Sequence, residues 1–268
     1  MIRTMICLCL LFVTAQRLFA SSPPSVYLED LTWIELRDAV KAGTKTVIIP
    51  VGGTEQNGPY IALGKHNVRV MALAGKIAAA LGHVLVAPVV AYVPEGSITP
   101  PTEHMRFPGT ITVSDEVFEG VLESAARSFK LHGFTDIVLI GDHGGYQKDL
   151  GIVAARLNAD WSKTPVRAHF IPEYYTSSLS AFASELIAHG ARPSEIGTHA
   201  GLADTSLMLA LDPKLVRKER LGVETTVSGA DGIYGGDPSR SSVEFGQLGV
   251  DIIVANTVEA IRKATTRH

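Results

Sequence analysis

Cysteine is nearly absent. Of 268 residues only Cys7 and Cys9 are cysteine, both close to the start. A chain trimmed behind them has no disulfide framework, no thiolate nucleophile and no thiolate metal site. Tryptophan is scarce as well, with Trp33 and Trp161 alone. No run of Lys or Arg stands out and the formal net charge is −3, so there is no electrostatic case for nucleic acid. Internal repeats, low-complexity tracts and linker-like stretches are missing too, which leaves no reason to divide the chain. What remains is a globular balance, 46% hydrophobic and 19% charged, at a length with ample room for one α/β core.

The start of the chain stands apart. Arg3 precedes an uncharged run from Met5 to Val13, and the stretch ends in Leu18–Phe19–Ala20. A positive start, a short apolar middle and a small residue at the cut are the pattern of a secretory signal. That apolar run is too short to span a bilayer, and Cys7 lies too early for a lipoprotein cut. The expectation is a leader at 1–20, a single domain at 21–268, and an exported product, periplasmic or secreted, with no membrane anchor after cleavage.

Beyond the leader, helical and strand patterns alternate. Leu31–Ala42, Asn67–Leu81, Ser114–His132, Tyr146–Trp161, Ser177–His189 and Val250–Thr265 have helical spacing, several of them stopped by glycine. Thr46–Val51, Val84–Val90, Ile137–Ile140 and Val166–Ile171 are β-branched or continuous apolar runs, as buried parallel strands are. Strands separated by helices of this length imply right-handed crossovers. The fold class is α/β, three layers, with a mostly parallel sheet flanked by helices. In such sheets ligands bind at the carboxyl ends of the strands. Ser228–Ser242, rich in Gly, Ser and Asp, reads as a long loop of the kind that is often functional.

Polar residues gather just after two strands. The first ends in Gly52–Gly53–Thr54–Glu55–Gln56–Asn57–Gly58–Pro59–Tyr60 and runs on to Lys65–His66; the third ends in Gly141–Asp142–His143–Gly144–Gly145. Carboxylate and imidazole beside glycine suit a borderline divalent metal with a position left open for water. Glu55, His66 and His143 make one carboxylate and two imidazoles, a workable site for a single metal. The competing role for His66 is a helix-capping histidine. Two roles fit Asp142: a further ligand, or a partner that orients an imidazole from behind. His199 fits a general acid or base, since an unperturbed imidazole titrates at about 6.5, or a residue that packs its loop. Two roles fit Asp204: the N-cap of a helix over Thr205–Leu211, or a residue of the site. His104, Asn57, Tyr60, Glu95 and Tyr175 are candidates for touching substrate. The remaining histidines (His83, His132, His169, His189 and His268) read as structural or solvated.

Taken together, the segments resemble the creatininase family. Gly53–Thr54–Glu55–Gln56–Asn57–Gly58–Pro59 is similar to the family's Gly-x-Thr-Glu-Gln-His-Gly-Pro segment. Glu103–His104–Met105–Arg106–Phe107–Pro108–Gly109–Thr110 resembles its Glu-His-x-x-Phe-Pro-Gly-Thr loop, and Gly141–Asp142–His143 its Asn-Gly-His turn. His199–Ala200–Gly201–Leu202–Ala203–Asp204–Thr205–Ser206 and Gly236–Asp237–Pro238 complete the order. The resemblance implies an α/β fold, amidohydrolase chemistry on a small amide, zinc or manganese, and frequently a homohexamer. It implies metal binding for Glu55 and His143 and proton transfer for His199. The departures mark a divergent subgroup. Asn57 stands where a metal-binding histidine is usual, and His66 where an aspartate bridges two metals. Gly145 stands in place of a carboxylate, and Tyr60 and Tyr146 in place of His and Asn. An imidazole cannot bridge as a carboxylate does, so the expectation is one zinc or manganese per chain. The tryptophans that shape the creatinine pocket have no counterpart here.

The function expected is metal-assisted hydrolysis of a C–N bond in a small cyclic or formyl-like amide. His199 would pass a proton to the leaving nitrogen, and backbone N–H groups near Gly144 and Gly145 would hold the oxyanion. The alternative is a metal- or metabolite-binding protein on the same scaffold, without catalysis. Expression in an export-competent bacterium, followed by mass spectrometry of the product, is expected to find Ser21 as the first residue; an intact Met1 on the exported chain would remove the leader.

Overall fold

A computed structural model describes residues 23–221 and 229–266. The leader, with Cys7 and Cys9, lies outside the described residues, as does Ser228. Four strands form one parallel sheet in the order β2–β1–β3–β4: β1 (Thr46–Val51), β2 (Val84–Val86), β3 (Asp136–Gly141) and β4 (Arg167–Phe170). Helix α1 (Trp33–Lys41) precedes β1, α2 (Lys65–Leu81) joins β1 to β2, α3 (Asp115–Leu131) leads into β3, and α4 (Gln147–Asp160) joins β3 to β4. After β4 the chain is mostly helical: α5 (Glu173–Thr176), a π turn (Ser177–Ala181), α6 (Phe182–Ala188), α7 (Pro193–Ile196), α8 (Leu202–Leu211) and α9 (Val243–Thr265). A small antiparallel pair, β5 (Gly197–His199) and β6 (Tyr234–Gly236), sets His199 opposite Tyr234.

Alternation along β1 explains the layers. Val47, Ile49 and Val51 pack with Phe118, Leu122 and Ala126 of α3 and Leu150, Val153 and Leu157 of α4. Ile48 points the other way, into a cluster with Leu73 and Ile77 of α2 and Ile253 and Ile261 of α9. Each such aliphatic side chain removed from water contributes about 1.5–3 kcal/mol. A sheet covered on both faces has no hydrophilic period, which is why its strands read as continuous apolar runs. No helix among the described residues is long and apolar enough to cross a membrane.

Several element boundaries differ from the expectation, each for a local reason. The run Val84–Val90 keeps strand geometry only to Val86, because Pro88 has no N–H for the ladder; pairing resumes at the single bridge Val51–Val90. The last helix begins at Val243, not Val250, with the Ser242 hydroxyl accepting from Phe245 N at 3.2 Å. Gly246 and Gly249 hid its first turns, since glycine is a poor helix former. Helix α8 begins at Leu202, so Asp204 lies inside its first turn and does not cap it. The segment read as the loop Ser228–Ser242 contains β6 and short 3₁₀ turns at Gly229–Asp231 and Pro238–Arg240.

Gly246 is needed for packing. A Cβ there would overlap the Ser206 carbonyl oxygen on α8. Gly246→Ala is therefore expected to cost about 1–3 kcal/mol, read as a lower denaturant midpoint. Gly120→Ala on the exposed side of α3, where a Cβ meets nothing within 4 Å, is the control. It is expected to be stabilising by up to about 1 kcal/mol. Equal midpoints for the two variants would contradict the close α8–α9 contact.

Candidate metal centre and active site

Parallel register puts two strand ends side by side: Val51 of β1 pairs with Gly141 of β3. The segments after them, Gly52–Asn57 and Asp142–Gly145, therefore leave the sheet together. Tyr146 ties them. Its hydroxyl donates to Gly52 O at 2.5 Å and accepts from the backbone N–H of Asp142 and His143 at 3.1 and 3.0 Å. On the other side, Asn67 of α2 accepts from Gly53 N at 2.9 Å and donates to Thr54 Oγ1 at 3.1 Å. Gly53 has φ +149°, and a Cβ there would come within 2.6 Å of Glu95 Oε1, so glycine makes room for a second carboxylate.

At the centre is a chain of three side chains. His66 meets Glu55 Oε1 through Nε2 and Asp142 Oδ2 through Nδ1, both at 2.6 Å. All three residues are buried. Arg69 Nε donates to Asp142 Oδ2 at 2.8 Å and Tyr174 to Asp142 Oδ1 at 2.7 Å. Asp204 accepts from Lys65 Nζ at 2.9 Å, from Arg69 Nη1 at 2.5 Å and from the backbone of Ala200 at 3.0 Å. The last bond holds Ala200 at φ +53°, a conformation that costs a residue with a Cβ about 1–2 kcal/mol, next to His199. Burial alone would raise Asp142 and Asp204. The charge of Arg69, and for Asp204 first that of Lys65, outweighs it and holds both below the usual carboxylate range.

A second group lies beside the chain. Glu55, Glu95, His104 and His143 each offer one ligand atom, and those atoms all lie within 4.8 Å of one another. Glu55 Oε2 is 3.2 Å from His104 Nε2 and 3.5 Å from His143 Nε2; Glu95 Oε2 is 3.6 Å from His143 Nδ1. Glu55 Oε2 and both Glu95 oxygens are buried without a hydrogen-bond partner. Burial, and then the neighbouring Glu55 charge, push Glu95 up to about 9. Burial also works against ionisation of Glu55, but His66, Lys65 and His143 hold it well below the usual range. Desolvation lowers His143 and His199 to about 3, so both rings are neutral at physiological pH.

The expected trio of Glu55, His66 and His143 does come together, with the His66 and His143 rings 5.2 Å apart. Both nitrogens of His66 face carboxylate oxygens, and the ligand atoms that converge are those of Glu55, Glu95, His104 and His143, of which Glu95 and His104 were read as substrate contacts. Asp142 is fully engaged by His66, Arg69 and Tyr174 and acts behind the cluster. Asn57 donates to the carbonyls of Glu55, Ala62 and Leu63 at 2.9, 3.2 and 3.4 Å, pins its own loop and does not line the cavity that opens onto the cluster. Tyr60 is buried in a separate apolar cluster with Met208 and Ile233. The Gly145 N–H points at His143 Nδ1, 3.3 Å away, and is not free for an oxyanion.

A cavity of about 480 Å³ opens onto this cluster, and His104, His143, His199 and Tyr175 line it. His199 Nε2 lies 2.9 Å from Gln56 O, and its Nδ1 lies 3.5 Å from Glu55 Oε1. The Gln56 side-chain amide sits between the His104 and His199 rings, 2.9 and 3.1 Å from their nitrogens. Gln56, Lys65, Arg69 and Tyr234 were missed in the sequence. For Lys65 and Arg69 a signal existed: with His66 they are polar residues buried on an otherwise apolar helix face. Trp161 is buried in the core and Trp33 exposed on α1, so neither shapes the cavity.

Comparison with known proteins identifies the family. The Creatininase family model, described as creatinine amidohydrolase, matches residues 29–261. Creatinine amidohydrolase of Pseudomonas putida is 27% identical over 261 residues, 89% of this chain and 97% of that protein. A mycofactocin precursor peptide peptidase of Mycolicibacterium smegmatis is 28% identical over 180 residues, 65% of this chain and 61% of that protein. A crystal structure of creatinine amidohydrolase superimposes with a TM-score of 0.73 at 24% identity, covering 91% of this chain and all of that one; other creatininase neighbours are manganese and zinc–zinc forms. With the parallel sheet, the strand-end cluster and a match over most of its length, this chain belongs to the creatininase family.

Proposed function

We propose that this chain is a metal-dependent hydrolase of a C–N amide bond in a small molecule, with one divalent cation held by Glu55, Glu95, His104 and His143. Its relatives include an amidohydrolase and a peptidase, which supports hydrolysis as the reaction class. The observation that carries the metal is the set of buried, unpartnered carboxylate oxygens on Glu55 and Glu95 facing two imidazoles. The ionised Glu55 oxygen without a partner in a desolvated site is costly, a bound cation would offset the burial and the Glu55 charge that keep Glu95 protonated, and two carboxylates with two imidazoles are the donors zinc or manganese takes. Such a cation, when bound, supplies Lewis-acid polarisation of a carbonyl and lowers the pKa of a water.

The remaining work falls to the chain's own residues. Asp142 and His66 fix Glu55 through Oε1, so that Oε2 faces the cluster. His199, neutral and with Nε2 against Gln56 O, accepts a proton at Nδ1 and returns it to the leaving nitrogen. Lys65 Nζ sits 3.7 Å from Glu55 Oε1 and lines the cavity, a fixed positive charge where negative charge develops. Export and a homo-oligomer belong to the same reading. The exposed apolar side chains of Tyr92, Val117 and Val121 support an assembly face.

Elemental analysis of the purified mature protein is expected to find one zinc or manganese per chain. Glu95→Ala and His104→Ala are each expected to lower metal affinity at least about tenfold and to remove turnover on a panel of small amides. A protein that holds no divalent cation and cleaves no amide after zinc or manganese is added overturns the proposal. Metal without turnover would favour the non-catalytic binding protein. Separately, His66→Ala leaves two buried carboxylates facing each other. It is expected to cost about 3–5 kcal/mol in chemical unfolding, more than His104→Ala does in the metal-free protein.

A further inference from the structure

The cavity wall is made of two unlike materials. Its polar residues come mostly from α2, the loop after β2, the turn after β3 and the β5–β6 pair, with Tyr175 of α5 and Asp204 of α8. On the side of the π turn, α6, α7 and α8 the wall is largely aliphatic: Leu179, Ala183, Ile196, Ala203 and Leu207. Ile196 and Leu207 belong to the main hydrophobic cluster, with Ala183 and Ala203 packed against it, so the core surfaces in the cavity here. Leu179 is 43% exposed, unusual for a large aliphatic residue that lines a cavity. It sits in the π turn Ser177–Ala181, between two helical stretches that would otherwise be one. Such single-turn insertions recur at functional sites because the extra residue bulges from the helix, and here the turn contributes Ser178 and Leu179 to the wall.

The charged residues of the same cavity do not compete for this wall. Lys65 and Arg69 are taken up by Asp204 and Asp142. A volume of about 480 Å³ falls in the usual range for an organic ligand and exceeds what the metal cluster alone requires. An entirely polar small ring would leave the aliphatic surface wet.

Resting on the hydrolase reading above, we infer that the substrate carries a straight aliphatic group beside its scissile amide, received by Leu179, Ala183, Ile196 and Leu207. The product of cleaving such an amide on its acyl side is a straight-chain carboxylate, which makes these acids direct probes. Calorimetric titration of the mature chain with acetate, butyrate, hexanoate and octanoate, with and without zinc, tests it. Affinity is expected to rise about fourfold per added methylene and to level off once the wall is covered. Ala183→Leu, which fills part of the wall, is expected to bring that plateau to shorter chains. Leu179→Ser changes an exposed residue and so leaves folding intact; it is expected to weaken hexanoate at least about tenfold. A series that is flat from acetate to octanoate both with and without zinc overturns the inference while the metal-binding result stands on its own. A rising series in a protein that takes up neither zinc nor manganese and cleaves no amide overturns the hydrolase reading and keeps the aliphatic wall.

Discussion

The candidate site depends on the bonding of one imidazole between two carboxylates. Glu55, His66 and Asp142 are buried together, and each would be expensive without the others. Their bonds decide which oxygen of Glu55 is used up and which is left over. The network behind them repeats the principle: Arg69 and Lys65 are shared between Asp142, Asp204 and Glu55, so no charge in this half of the site stands alone. Against that background the carboxylate oxygens of Glu55 and Glu95 that lack a hydrogen-bond partner are conspicuous.

This arrangement also gives physical meaning to the departures from the family pattern. An aspartate can join two cations; the histidine at position 66 instead joins two carboxylates. The negative charge that a second cation would have balanced is met by Lys65 and Arg69, both on the first turns of α2. Tyr146, another departure, spends its hydroxyl on backbone groups of Val51, Gly52, Asp142 and His143 and holds the ends of β1 and β3 at a fixed distance. The substituted positions thus form a consistent set in which charge and hydrogen bonding are mutually satisfied.

The fold was legible where periodicity was strong. β1, α2, α3 and α4 follow their apolar patterns within two residues at each end. Legibility failed where a local feature served packing: Gly246 and Gly249 look like breaks but seat α9 on α8, and Pro88 looks harmless inside a β-branched run but ends β2. In the site, glycine-flanked Glu55 and His143 could be found because strand ends of a parallel sheet are where ligands bind. Membership of the cluster could not. Glu95 and His104 sit on loops after β2 whose approach to β1 is set by tertiary bonds such as Gln56 N to Thr110 Oγ1 at 3.1 Å and Glu95 N to Thr112 Oγ1 at 3.0 Å. Nor could the double engagement of His66, which requires Asp142 to arrive from another strand.

The pairing of Val51 with Gly141 has a wider consequence. Glu55 and His143 are carried by different strands, and neighbouring residues along a strand are about 3.3 Å apart. A slip of β3 against β1 by a single place would displace one donor relative to the other by more than a ligand bond of about 2 Å. Hydrophobic burial tolerates approximate alignment better than coordination does. A cation captured by this cluster would therefore act as a gauge of the sheet, favouring the one alignment of its two central strands that brings the donors together.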